Sequence, residues 1–414
     1  MRLLKLELKR VLKTRRTWLL FLLSLLLSAL LAYMPTTFTS SSYTDENGQI
    51  VEVSGTASIA YEKELQAGIS GEVTPAKVRQ AVESYQACLR EYGVENSYDL
   101  PDGVYAARIL PIEPLLPGVK EAFADPDTGM APTVMEIDPA AVDDYYGAAE
   151  SRLAALMRME QPDHPAAQAK AAALYGAVDK PFYVYPGANP NALDYQVMLA
   201  FLILLFCTII AAPTFSSDYQ SGADDIQRCA KHGRAKLGLI RVVSALLICG
   251  LACALCVAVY ITISNCLFGW EVTRTSAQMM YSVAGLAAMD MGGLQGFIAL
   301  GSLLSLLAMV SFALFLSSKL KSTVATLAVA LLVCLLPIVV NLVLPTDPGV
   351  WLGCLLPSAG AGLQSSILYA LTDFEFLNIG SFPVWTPYAI LACAAIEIPL
   401  FAGLAIHSYT AHRI

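Results

Sequence analysis

Charged side chains are scarce in this sequence: only 14% of its 414 residues are Asp, Glu, Lys or Arg, while 56% are hydrophobic. Because soluble domains average about a quarter charged residues, this composition excludes a chain that is soluble throughout. The shortage is also uneven. Residues 35–193 contain 10 Lys/Arg and 23 Asp/Glu, a net charge of −13, whereas residues 194–414 contain 9 and 10. The chain therefore combines an acidic, soluble insert with a membrane region at 194–414.

Cysteine and histidine are too sparse in the insert for most disulfide, metal or catalytic sites. Cys88 is its only cysteine and His164 its only histidine, which excludes a disulfide within the insert. Elsewhere, Cys249, Cys253 and Cys256 share one face of an apolar helical segment. A metal or redox site is one interpretation of this face. Because no His or acid lies nearby in sequence, we expect these cysteines to pack as small apolar side chains.

The sequence also lacks a phosphate-binding loop of the form G-x-x-x-x-G-K-[ST], in which backbone amides and a lysine hold the phosphates. The closest segment, Gly233 to Gly238, is followed by Leu239 instead of lysine. We therefore expect no ATP hydrolysis, and no cofactor or metal ion, on this chain. Clustered histidines and paired intramembrane acids are missing too, which argues against a membrane-bound enzyme.

The chain does have long apolar segments, and the first of them lies near its N-terminus. The basic segment 1–17 holds seven Lys/Arg and one acid, and residues 18–34 carry no charge. This pairing predicts a first transmembrane helix with a cytoplasmic N-terminus. A cleaved signal peptide is the alternative. Because no small-x-small cleavage pair is well placed behind the apolar run, we expect an uncleaved anchor.

The basic segment is itself two-sided when drawn as a helix. Its apolar side consists of Leu4, Leu8, Val11 and Leu12. The cations on the adjoining side are Arg2, Lys5, Lys9, Lys13 and Arg16. This pattern predicts an interfacial helix in the inner headgroup plane of the lipid bilayer, with its cations toward anionic lipid. The alternative is a basic flank that only sets the topology.

Five further apolar segments bring the predicted membrane helices to six. They lie at 195–213, 242–264, 297–317, 323–345 and 388–408. The connections alternate in basic residues: 214–241 holds five Lys/Arg and 318–322 two, whereas 265–296 holds one and 346–387 none. Six spans with both termini inside place each basic connection in the cytoplasm, as the positive-inside rule requires. We predict a mainly α, multi-pass protein of the plasma membrane with cytoplasmic termini.

Two segments do not fit a simple span. Residues 350–372 are apolar but are interrupted by Pro357 and by several glycines. Because a spanning helix must satisfy its own backbone in lipid, we predict two short re-entrant or interfacial helices on the outer side, with a seventh span as the alternative. Residues 276–292 are predicted to form a small interfacial element.

The insert has the length of one domain and is predicted to be extracytoplasmic and mostly helical. Its expected helix starts are Thr74-Pro75, Asp138-Pro139 and Asp163 with Pro165 in the first turn. Gly93 is expected to end the first of these helices. Residues 49–53 alternate like a strand, and residues 99–133 are rich in Gly, Pro and Asp, which suggests irregular structure. The net negative charge either attracts cationic substrates or is ordinary solvated surface.

The polar loop 214–241 is the most specific internal feature. Ser221 and Asp224 have the spacing of a capping box. Acids at the start of the predicted helix (Asp224, Asp225) and bases at its end (Arg228, Lys231, His232) suit the helix dipole, and Gly233 supplies a stop. The pattern predicts a short rigid helix over 218–232 that transmits movement between a soluble partner and the membrane. A capped surface helix without a partner is the alternative.

This combination resembles the permease subunit of the ABC-2, or type-two ABC exporter, family. The residues that match its coupling segment are Phe215, Asp218, Gly222, Ile226, Arg234 and Lys236. The Ser317–Lys319 connection and the re-entrant helices resemble the family too.

The resemblance implies an exporter in which a separate ABC ATPase chain binds ATP and Mg and docks on the loop. A second permease subunit, identical or different, completes the transport path, and no nucleic acid takes part. The expected ATPase-coupling residues are Asp218, Gly222, Asp224, Asp225, Ile226, Arg228, Arg234 and Lys236. The alternative function is a non-transporting membrane protein whose outer domain acts as a receptor or sensor.

One acid lies inside a predicted span. Glu397 is midway along the last apolar segment, where a carboxylate costs about 2.5–3.5 kcal/mol. It is therefore expected to face protein or water, or to be protonated. Asn341 in the fifth span is its candidate hydrogen-bond partner. A role in gating and a purely structural interhelical hydrogen bond are the two interpretations.

Overall fold

The computed structural model describes residues 2–44, 49–229, 233–344, 347–363 and 366–411. The α-helices are α1 (Arg2–Leu12), α2 (Arg15–Tyr33), α3 (Thr56–Leu65), α4 (Pro75–Tyr92), α5 (Asp102–Arg108), α6 (Leu116–Ala122), α7 (Tyr145–Glu160), α8 (Pro165–Tyr175), α9 (Asn191–Ala211), α10 (Pro213–Ser221), α11 (Ala223–Arg228), α12 (Ala235–Phe268), α13 (Ala277–Met280), α14 (Met291–Lys319), α15 (Thr323–Val343), α16 (Asp347–Cys354), α17 (Ile367–Thr372) and α18 (Thr386–Ala411). The strands are β1 (Ser40–Thr44), β2 (Ile50–Ser54), β3 (Gly71–Glu72), β4 (Tyr183–Val184), β5 (Phe376–Ile379) and β6 (Phe382–Trp385).

Six helices in the described residues are long and apolar enough to cross a membrane, which confirms the predicted number. They are α2, α9 continued by α10, α12, α14, α15 and α18. The observed helices mostly extend beyond the apolar segments that predicted them; α12, for example, has 34 residues. Polar residues at helix ends lie outside the apolar segment but continue the backbone hydrogen bonding.

The basic segment divides between two helices instead of forming one over residues 1–17. Helix α1 ends at Leu12, and Arg15 already belongs to the first span. Thr14 between them has an extended backbone, with φ −73° and ψ 121°. This break lets α1 leave the axis of the span and pack across α12.

Small side chains bring the spans close together around α14. Gly301 and Ser305 of α14 are in contact with the segment between α16 and α17, where the backbone N–H of Gly360 donates to Ser305 Oγ at 3.0 Å. Such residues allow close approach of backbones in a membrane bundle. Cys249, Cys253 and Cys256 of α12 are buried in an apolar cluster formed by residues of the spans.

Local signals in the insert placed some elements correctly and others wrongly. Helix α4 starts and ends as predicted: Thr74 Oγ1 accepts from the N–H of Lys77 at 3.3 Å, and Gly93 has φ +65°. Asp138 does not start a helix, because its Oδ1 accepts from the nearby Ala140 N–H and closes a local turn. Helix α7 begins only at Tyr145.

The other expectations for the insert need similar adjustment. Helix α8 has Pro165 at its first position as predicted, but the residue before it is His164, so Asp163 is not the cap. The stretch 99–133 is not irregular throughout, since it contains α5 and α6. The predicted strand is β2, which pairs antiparallel with β1.

At the end of the bundle away from α1 and α10, the insert packs against the 265–296 connection and also bonds to the 346–387 connection, where Gln161 donates to the Phe374 carbonyl. Tyr175 donates to the carbonyl of Val283 at 2.9 Å, and Lys63 donates to the carbonyl of Phe268 at 3.0 Å. Residues of the 276–292 segment are buried in the same apolar cluster as the insert. Their position at the membrane interface stays a prediction. The described part of 350–372 contains the end of α16 and all of α17, and neither helix is long enough to be a seventh span.

Candidate functional site: a buried ion cluster beside the coupling segment

The predicted helix over 218–232 is broken in two. Helix α10 ends at Ser221, Gly222 has φ +70°, and α11 starts at Ala223. Glycine adopts this left-handed conformation without the penalty that a Cβ brings. The predicted capping box is wrong, because Ser221 Oγ donates back to the Asp218 carbonyl at 3.2 Å and no side chain caps α11. Lys231, His232 and the Arg228 side chain lie outside the described residues.

Asp218 lies in a buried ion cluster at this break. Its carboxylate pairs with Arg241 of α12, whose side chain is only 1% exposed. Nη2 of Arg241 also donates to Gln227 Oε1 of α11 at 2.5 Å. Helix α1 adds Arg10, 3.6 Å from Asp218, and Glu7, 3.7 Å from Arg241. Glu7, Arg10, Asp218, Gln227 and Arg241 are called the junction cluster below; they join α1, α10, α11 and α12.

Two aromatic rings flank the Arg241 guanidinium. Its Cζ lies 5.6 Å from the ring centre of Phe215 and 5.8 Å from that of Tyr409 on α18. A cation over a ring face is attracted by the quadrupole of the ring, more strongly where water is excluded. Tyr409 also donates to the carbonyl of Gly233 at 3.0 Å, directly before α12. The last span is thus tied to the same site.

The short connection between α14 and α15 completes the site. Ser317 Oγ accepts from the backbone N–H groups of Phe215 and Ser216, each at 3.0 Å. Thr323 lies 3.1 Å from Ser216 Oγ, and Ser408 donates to the Ser318 carbonyl at 3.2 Å. Helix α10 therefore contacts the ends of the fourth and fifth spans through hydrogen bonds, and the sixth span is hydrogen-bonded to the end of the fourth.

The predicted coupling residues divide into a buried and an exposed set. Asp218 and Asp224 are buried. The exposed residues are Gly222, Asp225, Ile226, Arg234 and Lys236. Ile226 is 78% exposed and lies one residue before Gln227, which is hydrogen-bonded to Arg241.

Comparison with known proteins identifies the family of this chain. A family model described as "ABC-2 family transporter protein" matches residues 1–349. The chain belongs to the ABC-2 transporter family. A search of curated proteins finds no match. The match runs from α1 through the insert and the first five spans, so the chain is a membrane transport component, and members of this family normally work with an ABC ATPase.

Sequence reasoning missed four members of the junction cluster of this ABC-2 protein: Glu7, Arg10, Gln227 and Arg241. Arg241 counted only toward the positive charge of its loop, and Arg10 toward that of the N-terminal segment. The available signal was Glu7, the single acid among seven basic residues. The presence of Glu7 in this cationic segment is explained by its pairing with Arg241, a buried base on α12.

Helix α1 of the ABC-2 protein keeps its two sides distinct. Arg2, Lys5 and Lys9 on α1 are exposed, as are Lys13 in the break and Arg16 on α2, whereas the predicted apolar side is partly buried. Val11 packs against the apolar cluster that includes the spans. Contact of the five cations with lipid headgroups stays a prediction.

Glu397 does not form the predicted hydrogen bond with Asn341. Glu397 is half-buried, and its Oε2 has no hydrogen-bond partner among the described residues. Asn341 is exposed and lines a cavity together with Ile390, which lies about two helical turns before Glu397. The two side chains therefore lie at different levels along the bundle. Their positions within the apolar segments of the sequence did not predict this difference.

Replacing Glu397 with glutamine should leave the thermal unfolding temperature in lipid nanodiscs equal or higher. Glutamine keeps the size of the side chain and removes the cost of an ionised, unpartnered carboxylate inside the membrane. Glu83→Gln, at an exposed position on α4 of the insert, is the control for loss of one negative charge. A clearly lower unfolding temperature for Glu397→Gln alone would mean that the carboxylate has an essential ionic partner.

Proposed function

We propose that this chain is the permease subunit of an ATP-driven exporter, and that a separate ABC ATPase docks on α11. The observation that carries the proposal is the exposed Ile226 next to Gln227, a half-buried residue that is hydrogen-bonded to the buried Arg241. Asp225, Arg234 and Lys236 supply charged groups around this apolar contact. The ATPase binds ATP and Mg, and this chain contributes neither a phosphate-binding loop nor a catalytic group.

A displacement of α11 by the ATPase would reach several spans through the junction cluster. Gln227 contacts Arg241 on the third span, Arg241 pairs with Asp218 at the end of the second, and Arg10 and Glu7 connect α1. Buried hydrogen-bonded charges hold fixed positions because separating them leaves unpaired charge in a water-poor site. The cluster therefore favours joint movement of these helices over bending of a loop.

In the proposed orientation the chain crosses the plasma membrane with α1, α11 and both termini in the cytoplasm. The insert lies outside the cell. This orientation is supported by the basic residues of the N-terminal segment and of the 214–241 and 318–322 connections. A second permease subunit, the same or a related chain, would complete the translocation path between two bundles.

Cys229 at the end of α11 is exposed and offers a direct test of both orientation and docking. In a Cys266→Ser background, a membrane-impermeant maleimide should label Cys229 in inverted vesicles but not in intact cells. A cysteine introduced at Tyr98, which is 92% exposed on the insert, should show the opposite pattern. Co-expression of an ABC ATPase encoded beside the gene should protect Cys229, whereas labelling of Cys229 from outside intact cells would refute the proposal.

A further inference from the structure

A cavity of about 360 Å³ lies where the insert meets the membrane bundle. Its wall is formed by the end of α7, by α15, α16 and α17, and by the start of α18. The described residues of its lining include three acids, Glu160, Asp373 and Glu375, and no lysine or arginine, while Pro337 and Ile390 contribute an apolar side. The charged side chains of the cavity are therefore all acidic, and part of its wall is apolar. This combination suits a cationic molecule with an apolar body.

A buried hydroxyl in the lining is the second observation. Ser366 has no exposed surface, and its Oγ has no hydrogen-bond partner among the described residues. It occupies the N-cap position of α17, but its side chain makes no capping hydrogen bond to that helix. Because buried polar groups in folded proteins are nearly all hydrogen-bonded, an unpartnered hydroxyl on a cavity wall indicates a missing partner within the cavity.

The three carboxylates repel one another and make no ion pair with a described base. Although Asp373 keeps exposed surface, partial desolvation at the cavity wall, and then the nearby Glu160, raise its pKa to about 6. Burial, and then Asp373 and Glu160, raise the pKa of Glu375. Desolvation and like charge both disfavour the ionised form. A bound cation would offset both effects and is the charge that this cavity lacks.

The carboxylates are held in place by contacts between the insert and the β5–β6 hairpin. Gln161, next to Glu160, donates to the Phe374 carbonyl at 3.4 Å and accepts from Asn378 at 3.2 Å. Thr386 Oγ1 donates to the Glu375 carbonyl at 3.2 Å. These bonds hold the acids from two distant parts of the chain at one cavity, which is what a preformed binding site requires.

We propose that this cavity binds a primary ammonium or guanidinium group carried on a compact apolar body. Asp373 and Glu375 accept hydrogen bonds from the cation, Ser366 Oγ accepts another, and the apolar body lies against the Pro337 and Ile390 side. The proposal extends the proposed export function by naming a class of transported or regulatory molecule. It is tested on the permease alone, so its failure is independent of ATPase docking.

The test is calorimetric titration of 1-adamantylamine into the full-length permease in lipid nanodiscs, with empty nanodiscs subtracted. The neutral 1-adamantanol, of nearly the same shape, is titrated in parallel and should bind at least about tenfold more weakly. The double variant Asp373→Asn/Glu375→Gln should lose about tenfold or more in amine affinity, and Ser366→Ala several-fold. Asp163→Asn, an exposed acid nearby that does not line the cavity, should bind as the wild type does.

Acidification should weaken amine binding as Asp373 becomes protonated, by about tenfold from about pH 7.5 to about pH 5. The groups that face Asp373 and contribute to this profile are Glu160, Glu375 and Tyr369, and the adjoining α16 carries Cys354 and the Asp347 that pairs with His164. Asp373→Asn should reduce the pH dependence.

Three results would overturn the proposal. Equal affinity for the amine and the alcohol would make the cavity a purely apolar site. Unchanged amine binding in the Asp373→Asn/Glu375→Gln variant, with Ser366→Ala also unchanged, would place the amine elsewhere. Displacement of the amine by millimolar Mg²⁺ at constant ionic strength would assign the carboxylates to a metal ion.

Discussion

Replacing Arg241 with methionine should destabilise the permease by about 3–5 kcal/mol, the usual cost of leaving a buried charge without its partner. Asp218 and Glu7 would both lose the guanidinium that they face, and Gln227 would lose a donor. Methionine fits between the rings of Phe215 and Tyr409, because a thioether packs well against aromatics. The loss is therefore expected to be electrostatic and not a consequence of a cavity.

The partner substitution separates the ion pair from the rest of the cluster. Asp218→Leu alone should cost a similar amount, since it leaves Arg241 buried, whereas Asp218→Leu/Arg241→Met should cost much less than the two losses added together. The readout is reversible or kinetic unfolding in nanodiscs. Arg234→Met, at an exposed position on the same loop, is the matched control. Additive losses would show that the two residues act separately.

Replacing Ile226 with aspartate should abolish the complex with the ABC ATPase while the permease itself stays folded. The side chain is 78% exposed, so the change should alter stability by less than about 0.5 kcal/mol. Buried apolar anchors at interfaces contribute about 2 kcal/mol or more, and their loss weakens binding about thirtyfold or further. Placing a carboxylate in the same contact adds a desolvation cost.

The experiment is co-purification of the tagged permease with the ATPase, together with measurement of ATP hydrolysis by the complex. Tyr98→Asp makes the same kind of change on an exposed residue of the insert and should leave the complex intact. Asp218→Ala is not an equivalent test, because Asp218 is buried in the junction cluster and its loss affects folding. A stable complex with Ile226→Asp would exclude α11 as the docking surface.

Local sequence patterns, which depend only on residues close together in the chain, were sufficient to predict much of the fold. The six spans and the end of α4 at Gly93 follow from apolar length and from backbone preference, which each segment carries with it. The two short helices in place of a seventh span follow from the proline and glycines of 350–372. The same local logic failed at Asp138 and at Ser221, because a short polar side chain can close a nearby turn as readily as cap a helix.

The composition and order of residues alone thus determined that this is a six-span membrane protein with a soluble insert and a polar loop of the ABC-2 kind. Only the tertiary structure decided which charged residues of that loop face outward. Asp218 and Asp225 were both expected to serve docking, yet one is paired with Arg241 beneath α1 and the other is exposed. The same holds for Glu160, Asp373 and Glu375, which meet at one cavity from distant parts of the chain. Burial and pairing depend on what packs across a residue, and neither hydropathy nor spacing along the chain contains that information.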